Sequence, residues 1–212
     1  MIDLPELSAP DLAALLASRV CHDVISPVGA IRAGFELLDD MPDDPDAMAL
    51  VRNSTHCAVA KLEFARVAFG SSGSASGGQI DLGTARQVAE NFMKFEKADL
   101  VWNGERAYTA KGLAKLILNL ILVANSSVPR GREIVVDIES LEPEPRVTIT
   151  ARGKPLRVPA RFRAFLANEP GQDPVDAQAV QIYYTLLLAR EAGLAVTLEA
   201  EAEVAVFKVA PA

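Results

Sequence analysis

At 212 residues, 50% of them hydrophobic, the chain can bury a sizeable core as one large domain or two small ones, which excludes a disordered protein. A formal net charge of -7 and a pI near 4.9 exclude a general affinity for nucleic acid or an anionic membrane surface. No run of about 18 apolar residues occurs, and the opening MIDLPELSAPDL is acidic where a signal peptide is basic and then apolar. Cys21 and Cys57 sit in apolar helical patterns without framework spacing, so the expected compartment is the reducing cytoplasm.

Residues 1–69 read as a helical hairpin whose turn is MPDDPDA, where Pro42 and Pro45 interrupt the helix and the Asp residues suit an N-cap. At about 100° per residue, Val20, Val24, Val28, Ile31, Phe35 and Leu38 share one face of the first helix, the stripe that must be buried. His22 points away from it. Ser26, Gly29 and Ala33 lie above His22 in a strip about 60° wide, with Arg19 and Asp23 at its edges. The small side chains of this strip, with Ala30 beside it, leave room for a partner to approach the imidazole, so Arg19, Asp23, Ser26, Gly29, Ala30 and Ala33 are the expected docking residues. In the second helix Met48, Val51, Thr55, Ala58, Leu62, Ala65 and Phe69 repeat in three- and four-residue steps, a heptad-like seam. One hairpin is too thin to bury both stripes; two copies pairing into a four-helix bundle would, so a homodimer is expected.

Residues 70–78 read GSSGSASGG, a linker or loop with no side chain to anchor a core. Residues 79–212 then mix helices near 82–95, 109–125, 159–168 and 176–192 with strands near 99–102, 133–140, 145–151, 194–200 and 203–209, an α/β sandwich pattern. The fold class is therefore α+β.

The segment SRVCHDVISPVGAIRAGFELLDD resembles the H-box of sensor histidine kinases, in which a His, the acid after it and a Pro five positions on open the phosphoacceptor helix; here these are His22, Asp23 and Pro27. More closely, the whole chain resembles the ChpT-type histidine phosphotransferases of alphaproteobacteria, which act in the cell cycle. The resemblance implies a phosphorelay carrier that is transiently phosphorylated on His22. It implies a donor like the receiver domain of the hybrid kinase CckA, and acceptors like the response regulators CtrA and CpdR. It also implies that residues 79–212 are a degenerate form of the kinase ATP-binding (Bergerat) fold. LAKLILNLILVANSSVP is similar to the N-box, but Val123 stands where the magnesium-holding Asn precedes Ala124, with Asn119 on an earlier Asn of the motif and Asn125 two residues late. VTITARGKPLRV has Ala151 for the adenine-reading Asp and Pro155 for the second Gly of its box, and DAQAVQIYYTLLLAREAG replaces the phosphate loop with no glycine before Gly193. These three losses imply no nucleotide cofactor and no kinase activity.

Neutral imidazole is a nucleophile near pH 7, and phosphoryl transfer needs in-line positioning and charge neutralisation, which a magnesium ion in the partner's acidic pocket can supply. Asp23 can orient a ring nitrogen or touch the partner, although its Cα direction diverges by about 100°; Arg19 can pair with phosphate or a carboxylate. His56 lacks the following acid and downstream Pro. A zinc site joining Cys21-His22 to His56-Cys57 is disfavoured because adjacent helical residues diverge, whereas helical ligand pairs stand three or four apart. The competing function is a docking module that binds signalling proteins without carrying phosphate.

Overall fold

The computed structural model describes residues 2–70, 78–169 and 174–212, so residues 71–77 of the expected linker lie outside the described residues. An arm, residues 2–8, leads into α1 (Ala9–Asp40), capped by the Ser8 hydroxyl, which accepts the Asp11 N–H at 3.2 Å. The turn expected at MPDDPDA joins α1 to α2 (Pro45–Ala68): Asp44 accepts the Asp46 N–H at 2.9 Å, and Pro45 takes the first turn, where a missing N–H costs nothing.

α1 and α2 pack tightly because Gly34 sits where a Cβ would meet Val51 Cγ2 at 2.6 Å and the Ala47 carbonyl oxygen at 3.4 Å. Pro27 and Gly34 are the buried residues of α1, facing Ala47, Val51, Ser54 and Ala58 of α2. The expected stripe is therefore divided. Val20, Val24, Ile31 and Leu38 are half-buried, whereas Val28 and Phe35 remain exposed, as do Met48, Thr55 and Leu62 of the α2 seam. The physical reason is that the apolar arc of each helix is wider than one helix neighbour can cover. By length and mean hydropathy α1 would also pass for a membrane span, with 6% of its apolar window buried; Arg19, His22 and Asp23 interrupt it near its middle.

The second unit is a sheet with helices on one face. Its elements are β1 (Gln79–Asp81), α3 (Leu82–Met93), β2 (Asp99–Asn103), β3 (Tyr108–Ala110), α4 (Lys111–Ser127), β4 (Glu133–Ser140), β5 (Arg146–Arg152), α5 (Ala160–Leu166), α6 (Val180–Glu191), β6 (Leu194–Glu201) and β7 (Val204–Pro211). The five-stranded order is β2-β4-β5-β7-β6, with β2 parallel to β4 and the other pairs antiparallel. Alternate residues, among them Ile134, Val136, Ile149, Ala151, Ala205 and Phe207, are buried beneath the helices. All five expected long strands are present. The strand pair β1-β3 was not expected, and it takes Thr109 and Ala110 from the start of the expected helix 109–125. Three-residue strands are too short to show a period, and Thr109 is buried by pairing with Ile80. The expected helix at 176–192 begins at Val180, because the Asp176 carboxylate first accepts the N–H groups of Gln178 and Ala179.

The hairpin and the sheet unit share one core. Phe64 of α2 stacks on Phe92 of α3 with centroids 4.5 Å apart, and Phe69 meets Tyr184 of α6 at 6.0 Å. The arm crosses to the far side: Leu4 joins the same core, and the Asp3 N–H donates to Asn168 Oδ1 at 2.8 Å.

Candidate functional site

His22 stands near the middle of α1 with its side chain 80% exposed. Counting back from Gly34, and equally far on from Ala47 and Val51, brings it level with residues 59–63 of α2. Its Nδ1 lies 3.4 Å from Asp23 Oδ1, and the other oxygen of that carboxylate accepts the Arg19 Nε–H at 2.8 Å. Asp23 and Arg19 are both largely covered, so the three form an ordered line from a half-buried guanidinium to an exposed ring. The neighbouring acid thus does reach the imidazole. Cα directions diverge on adjacent residues, but an Asp side chain bends back far enough when an i,i−4 Arg holds its other oxygen. Pro27, buried against α2, leaves the Asp23 carbonyl without its helical N–H.

A carboxylate facing Nδ1 favours the tautomer with hydrogen on Nδ1, because only a donor is attracted there. In that tautomer the Nε2 lone pair faces solvent. An arrangement of this kind can accept a phosphoryl group without first losing a proton, and the carboxylate stabilises the positive charge that develops on the ring.

The expected docking residues lie around this ring. Ser26, Gly29 and Ala33 are exposed, and a Cβ at Gly29 would meet nothing within 4 Å. Ala30 is half-buried on the α2 side, and Arg19 is engaged with Asp23. Ile25, one turn from His22 and 67% exposed, borders the strip on its other side. Sequence reasoning missed it, although its offset of about −60° from His22 was available from the helical rotation. His56 is exposed on α2, Cys21 and Cys57 are free thiols, and among the described residues no group of three or more His, Cys, Asp or Glu side chains is placed to hold a metal ion.

Residues 82–204 match the family model described as the histidine phosphotransferase C-terminal domain. Protein phosphotransferase ChpT of Brucella abortus (strain 2308) is 49% identical over 201 residues, which cover 95% of this chain and 96% of the relative. The chain belongs to the histidine phosphotransferase family. A solved structure described as a bacterial phosphotransferase, 47% identical, superposes with a TM-score of 0.91 over 98% of this chain and 100% of its own. As a member of this family the chain is a protein phosphotransferase, and its N-terminal helices and C-terminal sheet are the family's architecture.

In this phosphotransferase the three segments expected to depart from the kinase motifs are built into the packing. Val123 and Ala151 are fully buried in the core. After β5 the chain closes onto the end of α4: the Arg157 N–H donates to the Ser127 carbonyl at 2.7 Å, and Gly153 lies where a Cβ would meet Val128 Cβ at 3.0 Å. DAQAVQIYYTLLLAREAG supplies α6, and Gly193, with φ +65°, makes the left-handed turn that ends it. Where α6 packs on α4, burial raises the Tyr184 phenol above its usual range, and burial, with Lys111 nearby, lowers the Lys115 ammonium.

Proposed function

We propose that this chain relays phosphoryl groups through His22 between receiver domains, taking them from a hybrid histidine kinase of the CckA kind and passing them to response regulators of the CtrA and CpdR kinds. The observation that carries this reading is the exposed imidazole whose Nδ1 faces Asp23, on a strip kept open by Ser26, Gly29 and Ala33. Nε2 attacks the phosphorus of the donor's aspartyl phosphate; the P–N bond forms as the P–O bond breaks, and the electron pair leaves with the donor carboxylate. The ring then carries positive charge and its Nδ1 proton, both next to the Asp23 carboxylate, and the reverse step on a second receiver restores neutral imidazole. Magnesium belongs to the receivers, and the chain itself uses no cofactor.

The working form is a cytoplasmic homodimer whose two hairpins form a four-helix bundle. The uncovered Val28, Phe35, Met48 and Leu62 support this, because an apolar band running along both helices is costly in water and fits a second copy of itself. Residues 1–69 carry the phosphoacceptor and the dimer contact, and residues 79–212 support them without binding nucleotide.

The test is incubation with a radiolabelled, phosphorylated hybrid-kinase receiver. Acid-labile, base-stable label is expected on the wild type and on His56→Ala, and none on His22→Gln, whose fold is kept because the side chain is exposed. Label on His22→Gln and not on His56→Ala would overturn the assignment. Stable complex formation without label would favour a docking module.

A further inference from the structure

Where α2 ends, its last carbonyls have no helical partner. That of Ala68 is satisfied from the other unit: Asn119 Nδ2, in the middle of α4 and fully buried, donates to it at 3.1 Å and to the Lys115 carbonyl at 2.9 Å. Gln181 Nε2 of α6 donates in turn to the Asn119 backbone oxygen at 2.9 Å, with Asn119 Oδ1 at 3.3 Å, and to Thr185 Oγ1 at 3.0 Å, while that hydroxyl donates to the Gln181 carbonyl at 2.7 Å. These three side chains are buried polar groups in an otherwise apolar seam. Apolar contacts such as Phe64 on Phe92 tolerate a small slip of one surface over another, whereas a buried carbonyl whose donors move away is left unsatisfied. The network therefore fixes the relative height of α2, α4 and α6.

That height matters to His22. Leu15 lies seven residues before it on nearly the same face of α1, and it packs against the shared core together with Leu12 and Leu16; α1 also touches α6. At 1.5 Å per residue Leu15 is about 10 Å along the axis from His22, so the core it packs against forms a shelf beside the strip. On the α2 side Phe64, which carries α3, is within about one turn of the level of His22. A folded domain of about 100 residues has a radius of gyration of about 13 Å, so one seated on the imidazole extends over these elements.

We propose that Asn119 and Gln181 are positioning residues for phosphotransfer: they latch the sheet unit to the hairpin so that the shelf beside His22 keeps one height and does not obstruct an arriving receiver. The inference rests on His22 being the phosphoacceptor. It predicts that loosening the latch weakens productive docking and leaves the chemistry at Nε2 untouched.

The experiment uses the full chain with Gln181→Met and Asn119→Leu, each near-isosteric and lacking the amide donor, and measures KM and kcat for transfer from a phosphorylated receiver. KM should rise about tenfold with kcat within about twofold of wild type. Thr185→Ser, which keeps the hydroxyl, should behave as wild type. Val136→Ala serves as a control for lost stability alone, being buried in β4 and outside the hydrogen-bonded network, and should leave KM unchanged. If Asn119→Leu does not fold, Gln181→Met decides. Unchanged KM in a folded Gln181→Met chain, or a rise of the same size in Val136→Ala, overturns the inference. A wild type that takes no label on His22 overturns the reading on which it rests.

Discussion

Gly29 and Gly34 stand on the same helix and should answer the same substitution in opposite ways. Gly29 faces open space, so Gly29→Ala should stabilise the chain by about 0.5–1 kcal/mol through backbone entropy and leave transfer intact. Gly29→Arg should fold equally well and slow transfer about tenfold by filling the strip. Gly34→Ala should cost about 1–3 kcal/mol, because its Cβ would overlap Val51. Thermal denaturation of the three variants reads the first and third effects, and a transfer rate the second. The open strip was legible because rotation about one helix needs only that helix. The role of Gly34 was not, since it depends on where the second helix lies. Asp23 is a similar case: its Cα direction argued against contact with the ring, and the Arg19 ion pair that turns its carboxylate is a side-chain matter. Asp23→Asn removes the charge opposite Nδ1 and should lower the single-turnover transfer rate about tenfold with little change in receiver affinity; an unchanged rate would limit Asp23 to holding Arg19.

Among the elements, the turn of the hairpin was legible at MPDDPDA, because Pro42, Pro45 and the Asp44 cap leave few alternatives, whereas the arm before Ala9 was not separated from the first helix. How its apolar residues are shared was not legible. A stripe on a helical wheel gives an arc, and only the packing of Gly34 on Val51 divides that arc into a side facing α2 and a side facing outward. The outward side makes a prediction: Phe35→Asp or Leu62→Glu places a charge in the proposed bundle core and should convert a dimeric mass into a monomeric one by light scattering, with helical circular dichroism retained. A wild type of monomeric mass at micromolar concentration would remove the bundle from the account. The long strands were legible from alternation, and β1 and β3 were not, because three residues carry too little pattern to outweigh a neighbouring helix signal.

In the molecule as a whole, the sequence carried the division into a helical and a sheet unit but not their union. Nothing in the pattern of LAKLILNLILVANSSVP distinguishes an Asn that faces a ligand from one that caps a helix of another unit, and Asn119 does the latter. The arm behaves likewise, its Leu4 completing a core whose other fully buried members lie beyond residue 60. Such long-range contacts are set by tertiary packing, which local propensity does not encode. In the proposed relay, phosphate enters and leaves by one exposed imidazole. The measurement that tests it most directly is a chase without ATP: the chain is labelled by a phosphorylated receiver, separated from it, and mixed with a second, unphosphorylated receiver. Label should leave His22 and appear on the second receiver's aspartate, and His22→Gln should carry none at any stage. Label that stays on the chain, or that reaches the second receiver through His22→Gln, would contradict the relay.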